Sequence, residues 1–182
     1  MGSLLAFVPF IVFAVLCWLG GSTAGLIAGA CSALIILGRD VVFLKHSPKL
    51  IEVGAVILFG ALAVFALITR ANWTVPGVRL LVDSGLLALI VLSILMRRPF
   101  TRPYAQERTS PDIWHTHSFL RTNYMISGVW ALAFAIIVLA DAMLVYEPMV
   151  PVSLGIGTTV AALFVAFKFT AWYPNHNANK GK

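Results

Sequence analysis

Charged residues are scarce in this chain and make up 11% of its 182 residues. Soluble domains carry about 25% charged residues, so this scarcity argues against a soluble domain. Hydrophobic residues make up 60% of the chain. They fall into runs of roughly 17 to 25 residues, the length that crosses a hydrocarbon core about 30 Å thick. We therefore predict an all-α membrane protein whose apolar surfaces face lipid and one another.

Cysteine is also rare, and the positions of the two cysteines argue against a disulfide framework. Cys17 and Cys31 both lie inside apolar runs, where a free cysteine behaves as a small buried hydrophobe. The sequence contains no CxxC redox pair. The first apolar run is not preceded by a basic residue, so we predict no cleaved signal peptide. Ala6 stands where N-myristoylation requires Ser or Thr, which argues against that lipid anchor.

Catalytic motifs are missing as well. No Ser/His/Asp order, pair of catalytic carboxylates, phosphate-binding loop or dinucleotide fingerprint can be assembled from this sequence. His115 and His117 stand two apart, but a zinc or copper site needs three or four ligands with an organised second shell. An amphipathic loop at the membrane interface explains the two histidines more simply. We predict no catalytic residues, no metal and no cofactor, and hence no enzyme.

The apolar runs predict six transmembrane helices in one bundle. Their expected bounds are about 4–19, 21–38, 50–69, 78–96, 120–145 and 150–172. These helices form one predicted transmembrane domain, 1–172, and a polar cytoplasmic tail, 173–182, follows it. The only sizeable polar loop is expected between Pro99 and Phe119.

Lysine and arginine are distributed very unequally between the two sides of this six-helix topology. With both termini inside, eleven of the 13 basic residues face the cytoplasm. These eleven are Arg39, Lys45, Lys49, Arg97, Arg98, Arg102, Arg108, Arg121, Lys168, Lys180 and Lys182. The other two, Arg70 and Arg79, face outward. Because basic loops stay inside, we predict a multi-pass membrane protein with cytoplasmic termini. The net charge of +6 then faces anionic lipids of the inner leaflet rather than nucleic acid.

The stretch from Met96 to Tyr104 ends one of the predicted helices at the membrane surface. Two arginines are followed there by Pro99 and Pro103, which lack the N–H that continues a helix. We predict that Arg97, Arg98, Arg102 and Arg108 bind anionic lipid or a protein partner.

Seven side chains inside the predicted helices are candidate intramembrane sites, and five of them are ionisable and therefore costly in lipid. They are Glu52, Arg79, Asp83, Asn123, Trp130, Asp141 and Lys168. Arg79 and Asp83 stand four apart and, with Asp141 and Glu147, predict an outer cluster that is either an interfacial salt bridge or an ion or headgroup site. Glu52 is expected to pair with a nearby cation: Lys49, Arg121 or Lys168. No charge falls at the midplane, which argues against an ion-coupled carrier.

Three glycines stand four apart in the second apolar run. Gly21, Gly25 and Gly29 form a GxxxGxxxG series, and small residues at this spacing let another helix approach closely. We predict that this series packs either inside the bundle or across a homodimer.

Three stretches resemble the bacterial intracellular septation protein A family and related small, uncharacterised inner-membrane proteins. They are Pro48–Gly54 leading to Leu58–Gly60, Pro111–Trp114 followed by Asn123 and the Gly128–Ala135 run, and Val152–Thr159. Arg98–Thr101 with Tyr104–Ala105 also resembles these related proteins. The resemblance spans the third to sixth helices. It implies a protein of the bacterial inner membrane that acts in septation or in cell-envelope synthesis, with envelope or division proteins as partners. It supplies no catalytic residues.

The function expected from the sequence is a non-enzymatic scaffold or partner in septation or envelope biogenesis. The alternative is a small transporter or channel for a lipid or small solute. A cavity lined by Glu52, Asn123, Trp130 and Lys168 would favour the transporter, and a packed bundle would favour the scaffold. A membrane-embedded enzyme, the third possibility, would need polar side chains converging on lipid or metal.

Overall fold

In the computed structural model, residues 7–45, 47–70, 73–147 and 149–179 are described, and the regular elements in these ranges are all helical. The α-helices are α1 Val8–Gly20, α2 Ser22–Gly38, α3 Leu50–Thr69, α4 Val75–Leu95, α5 Thr101–Gln106, α6 His117–Tyr146 and α7 Val152–Asn179. A π-helical turn, Arg39–Phe43, continues α2, and a 3₁₀ turn, Pro111–Ile113, precedes α6. The prediction of an all-α protein is confirmed for this part of the chain.

Five of these helices are long and apolar enough to cross a membrane. The spans are Ser22–Phe43, Leu50–Thr69, Val75–Leu95, His117–Tyr146 and Val152–Pro174. The apolar helix α1 is shorter, with 13 residues, and rises about 20 Å, less than the hydrocarbon core of about 30 Å. The structure is therefore that of a multi-pass membrane protein.

Local sequence explains where α6 begins. The side chain of Thr116 accepts a hydrogen bond from the N–H of Phe119 at 3.3 Å, the N-capping geometry that this residue type favours. As a result α6 begins at His117, three residues before the predicted start. The predicted polar loop before it also contains helix α5. Pro103 is compatible with α5 because it lies in the first turn, where no intrahelical N–H is needed.

The C-terminal tail differs from the prediction. Helix α7 does not end at Trp172 but continues through Pro174 to Asn179. Aromatic stacking along this last segment favours the helix: the rings of Phe169 and Tyr173 lie 4.9 Å apart, and those of Trp172 and His176 lie 4.6 Å apart. Both pairs have the four-residue spacing of helix neighbours, so most of the expected tail is helical.

The chain divides into two compact units, Met1–Leu89 and Ile90–Lys182. In the first unit, Phe59 is fully buried and its ring lies 5.0 Å from that of Phe10 and 5.4 Å from that of Phe13. A Cβ added to Gly29 would lie 2.7 Å from the Phe59 ring. Gly29 therefore leaves room for the central aromatic side chain of this unit.

The glycine series of α2 serves two different purposes. A Cβ added to Gly25 would lie 2.9 Å from the backbone N of Cys17, so Gly25 lets α1 and α2 pack closely, as expected. Gly21 does not belong to this packing face. It lies in the turn between α1 and α2 with φ at +85° and no atom within 4 Å of an added Cβ. Within the described part of this chain Gly21 therefore serves the turn, which needs a backbone conformation that glycine adopts easily. Packing of Gly21 across a homodimer stays a prediction.

The second unit is centred on Trp130, which is 3% exposed. Its ring contacts Phe167 edge-on at 4.9 Å and Phe134 at 6.2 Å. Its Nε1 donates a hydrogen bond to Thr170 Oγ1 at 3.0 Å. Because Trp130 lies on α6 and both Phe167 and Thr170 lie on α7, this cluster sets how the two helices align.

Candidate functional site

The arginine-rich segment from Arg97 to Arg108, here called the basic segment, begins at a well-defined helix end in the second unit. The N–H of Arg97 donates to Ile94 O at 3.0 Å, and the N–H of Arg98 donates to Ser93 O at 2.9 Å. Arg97 has φ at +57°. These features define a Schellman motif, which closes a helix with a left-handed residue. Arg97 occupies the position where glycine is most common.

Buried residues anchor the chain directly after this helix end. Pro99, Phe100 and Tyr104 are buried. Ser93 Oγ accepts a hydrogen bond from the N–H of Phe100 at 3.2 Å and donates one to Ile90 O at 2.6 Å. The backbone that carries the arginines is therefore held in place by the end of α4.

A second set of hydrogen bonds joins the basic segment to α6. Thr101 Oγ1 donates to the backbone oxygen of Asn123 at 3.0 Å and lies 3.0 Å from Ser127 Oγ. The side-chain amide of Asn123 donates to Phe119 O at 2.8 Å within its own helix. Asn123 is 2% exposed and Ser127 is fully buried. Asn123, through its backbone oxygen, and Ser127, through its hydroxyl, thus hold the segment against α6.

The four predicted arginines differ in exposure. Arg97, Arg98 and Arg108 are exposed, whereas Arg102 is half-buried. The Nε of Arg102 is buried and has no hydrogen-bond partner in the described ranges. Two acidic side chains lie nearby in sequence: Glu107 is exposed, and Asp112 accepts a hydrogen bond from Ser110 Oγ at 3.0 Å. The segment therefore presents a fixed, predominantly basic surface.

The first unit contains a different polar site, a buried charge cluster of Arg39, Asp40, Lys49 and Glu52. Asp40, Lys49 and Glu52 are each 5% exposed. The ammonium of Lys49 lies 3.3 Å from Asp40 Oδ2 and 3.3 Å from Glu52 Oε1. Arg39 Nε donates to Asp40 Oδ1 at 2.9 Å. Lys49 is thus one partner of Glu52, as the sequence suggested.

The π-helical turn explains why Asp40 takes part in this cluster. The N–H of Leu44 donates to Arg39 O at 3.2 Å, five residues back. Such a turn widens the helix locally and changes which side its residues face. Asp40 was not among the residues predicted from the sequence. The signal was present in the alternating charges of Arg39-Asp40 and in the three-residue spacing of Lys49 and Glu52. The four charges cancel, which fits a structural cluster.

The remaining predicted intramembrane residues are distributed between the two units. Arg79 and Asp83 lie in the first unit, and both are half-buried on α4. Asp141 lies in the second unit and is fully buried on α6. Lys168 is exposed on α7, and its Nζ lies 5.5 Å from the centre of the Phe164 ring. Within the described ranges, no group of three or more His, Cys, Asp or Glu residues could hold a metal ion.

An apolar groove of about 360 Å³ runs between α6 and α7 in the second unit. Sequence reasoning gave no sign of it, because the groove depends on how two helices align. Its lining is Val129, Leu132, Ala133, Ile136, Thr158, Ala161, Ala162, Val165 and Ala166. The lining residues do not include Asn123, Trp130 or Lys168, which the sequence had suggested for a transport cavity.

Comparisons with known proteins identify no relative. No family model matches the chain, and no curated protein or solved structure matches it significantly. The class of protein is therefore defined by the fold alone, as an α-helical multi-pass membrane protein.

Proposed function

We propose that this chain is a non-enzymatic scaffold or partner protein of the bacterial inner membrane, acting in septation or envelope biogenesis through its basic segment. The observation that carries the proposal is the anchored backbone of that segment. Pro99, Phe100 and Tyr104 are buried while Arg97, Arg98 and Arg108 are exposed. An anchored backbone suits binding, since the main chain that carries the arginines loses little freedom when an anionic group arrives.

The binding chemistry follows from the guanidinium group. Arginine offers a planar fork of donors that matches phosphate and carboxylate geometry. The partner is thus an anionic phospholipid headgroup of the inner leaflet, or an acidic surface of an envelope or division protein that docks there.

The proposed topology has six membrane-spanning helices, with α1 as the first, and both termini in the cytoplasm. It places the basic segment on the side where anionic lipids create a negative surface potential. The resemblance of Pro48–Gly54, Pro111–Trp114 and Val152–Thr159 to the septation protein A family supports the assignment to the cell envelope.

The lipid side of the proposal can be tested in native nanodiscs extracted with a styrene–maleic acid polymer from bacterial membranes. We expect discs of the wild-type protein to be enriched in anionic phospholipid relative to the bulk membrane. Arg97→Ala with Arg98→Ala should remove most of the enrichment, since each basic residue near an anionic surface contributes about 1 kcal/mol. Quantitative lipid mass spectrometry of the discs gives the measurement.

The matched control is Lys180→Ala with Lys182→Ala, which removes the same number of charges from the end of the chain and should leave the enrichment unchanged. Equal loss in both double variants would show that only net charge matters. A wild-type protein without any enrichment would contradict lipid binding by the basic segment.

The septation role has its own test. A fluorescent fusion of the full chain should accumulate at the division site of dividing bacterial cells, and the Arg97→Ala, Arg98→Ala variant should lose that accumulation while remaining in the membrane. A uniform distribution of the wild-type fusion would contradict a role in septation.

A small transporter or channel for a lipid or small solute is the second candidate. The groove between α6 and α7 favours it, because an apolar groove between helices suits an acyl chain. A transporter would speed the movement of labelled lipid between leaflets of proteoliposomes, whereas a scaffold would not.

A further inference from the structure

The groove between α6 and α7 opens toward the surface that faces lipid. Three of its lining residues remain exposed at its rim: Leu132 at 61%, Ile136 at 43% and Val165 at 60%. Opposite them the lining is small, with Ala133 and Ala166 buried at its base. All of these residues lie in helices that are long and apolar enough to span a membrane, so the groove is apolar and accessible from the bilayer.

A single cation lies on the same helix face as the groove. Ala161 and Val165 line the groove, and Lys168 and Trp172 follow seven and eleven residues after Ala161, which keeps all four on one face of α7. Lys168 is the one charged residue in the span Val152–Pro174. Its side chain is exposed, and so is that of Trp172. Along this face of α7, the groove is therefore followed by a cation, Lys168, and then by an aromatic residue near the end of the span, Trp172.

The depth of Lys168 suits a lipid headgroup. It lies six residues before Pro174, where the span ends, which corresponds to about 9 Å along the helix. In the structure the Lys168 Nζ lies over the ring of Phe164, one turn nearer the membrane centre. The flexible lysine stem can instead extend along apolar surface in the other direction and bring its ammonium to the headgroup level, which tryptophan side chains such as Trp172 favour. The ammonium can therefore reach a phosphate whose acyl chain lies in the groove.

We propose that this groove binds one anionic phospholipid, with an acyl chain between α6 and α7 and the phosphate at Lys168 Nζ. Charge complementarity selects this occupant, because a helix from a second copy would cover the Lys168 ammonium with apolar surface, and an uncompensated buried charge is costly. The inference rests on the proposed membrane function but not on the basic segment. The second unit would then bind one lipid at a defined site, in addition to the lipids that surround any membrane protein.

Native mass spectrometry of the purified full chain tests how much the charge of Lys168 contributes to lipid binding. The protein is titrated with phosphatidylglycerol and, separately, with phosphatidylcholine of the same acyl chains. The wild-type protein should bind one phosphatidylglycerol more tightly than it binds phosphatidylcholine. Lys168→Gln should weaken phosphatidylglycerol binding about fivefold, the effect of one basic residue near an anionic group, while Lys168→Arg should retain it. Arg70→Gln, which removes an exposed charge from the first unit, is the matched control and should bind as the wild type does.

A second variant tests the groove itself. Ala161 is exposed at the groove, so Ala161→Phe fills the space with little repacking and should weaken binding of both lipids. A photoactivatable phosphatidylglycerol should crosslink to peptides that contain 129–136 or 158–166. Crosslinks confined to other helices, or unchanged affinity in both Lys168→Gln and Ala161→Phe, would overturn the proposal. If binding is lost only in Arg97→Ala with Arg98→Ala, the lipid belongs to the basic segment: the proposed function stands and this inference fails.

Discussion

Several charged side chains of this protein are buried at positions where an apolar side chain would be expected. Asp40, Lys49 and Glu52 are each 5% exposed, and Lys49 lies between the two carboxylates at 3.3 Å from each. The cluster is electrically neutral only while all its members, including Arg39, are present. Removing one member leaves an uncompensated charge in a site that water reaches poorly, which costs more than the pair contributes when intact.

We expect Lys49→Met to lower the free energy of unfolding by about 3 to 5 kcal/mol, the range seen when one partner of a buried ion pair is removed. Unfolding with sodium dodecyl sulfate in mixed micelles, followed by circular dichroism, measures the change. Lys45→Met is the control, because Lys45 belongs to the same connection but is exposed, and it should have little effect. Equal destabilisation by both substitutions would contradict the role assigned to the buried cluster.

Helix ends and helix contacts are decided at the scale of the element. The Schellman motif places Arg97 in a left-handed conformation and directs the chain from α4 into the buried Pro99 and Phe100. The turn between α1 and α2 similarly needs the positive φ of Gly21. In the membrane, where lipid gives helices no hydrophobic reason to associate, small residues at contacts matter most. Gly25 is such a contact and Gly38 is not, although both lie on α2.

Gly25→Ala should destabilise the protein by about 1 to 3 kcal/mol, the usual effect of overpacking, because the added Cβ would lie 2.9 Å from the backbone of Cys17. Gly38→Ala is the matched control on the same helix, since an added Cβ there meets no atom within 4 Å. Thermal unfolding of both variants in one detergent compares them. A Gly38 variant at least as destabilised as the Gly25 variant would contradict close packing of α1 on α2.

For the whole molecule, orientation in the membrane is the property on which the proposed function depends most. In the topology that we propose, the basic segment lies inside the cell and the connection between α6 and α7 lies outside. Arg108 is exposed in the first of these regions, and Met149, which is 96% exposed, lies in the second. Both positions are suitable for labelling because their side chains are accessible and make no core contacts.

In a variant with Cys17 and Cys31 replaced by alanine, Arg108→Cys should resist a membrane-impermeant maleimide in intact cells and react after lysis. Met149→Cys should react in intact cells, and an N-terminal epitope tag should become accessible only after lysis. Labelling is read by gel shift. The opposite labelling pattern for the two cysteines would show that the chain has the reverse orientation in the membrane. An N-terminal tag exposed on intact cells would contradict six spans.

Several elements could be read directly from the sequence. The helix α3 begins and ends where its apolar run does, at Leu50 and Thr69, because a hydrophobic run in lipid must satisfy all its backbone groups within a helix. Helix ends that depend on side-chain contacts were harder to predict from the sequence. The predicted end at Trp172 failed because aromatic side chains continue α7 through Pro174, where a single missing N–H is tolerated.

The sequence by itself determined the class of the protein, since 60% hydrophobic residues in long runs can be buried only in a bilayer, and it indicated where the cationic residues concentrate. Only the tertiary structure decided which polar residues meet. It brought Asp40 to Lys49 through a π-helical turn, and Thr101 to Asn123 and Ser127. It also created the groove between α6 and α7. The physical reason is that helix formation depends on local composition, whereas these sites depend on the rotation and alignment of packed helices, which no single run of residues encodes.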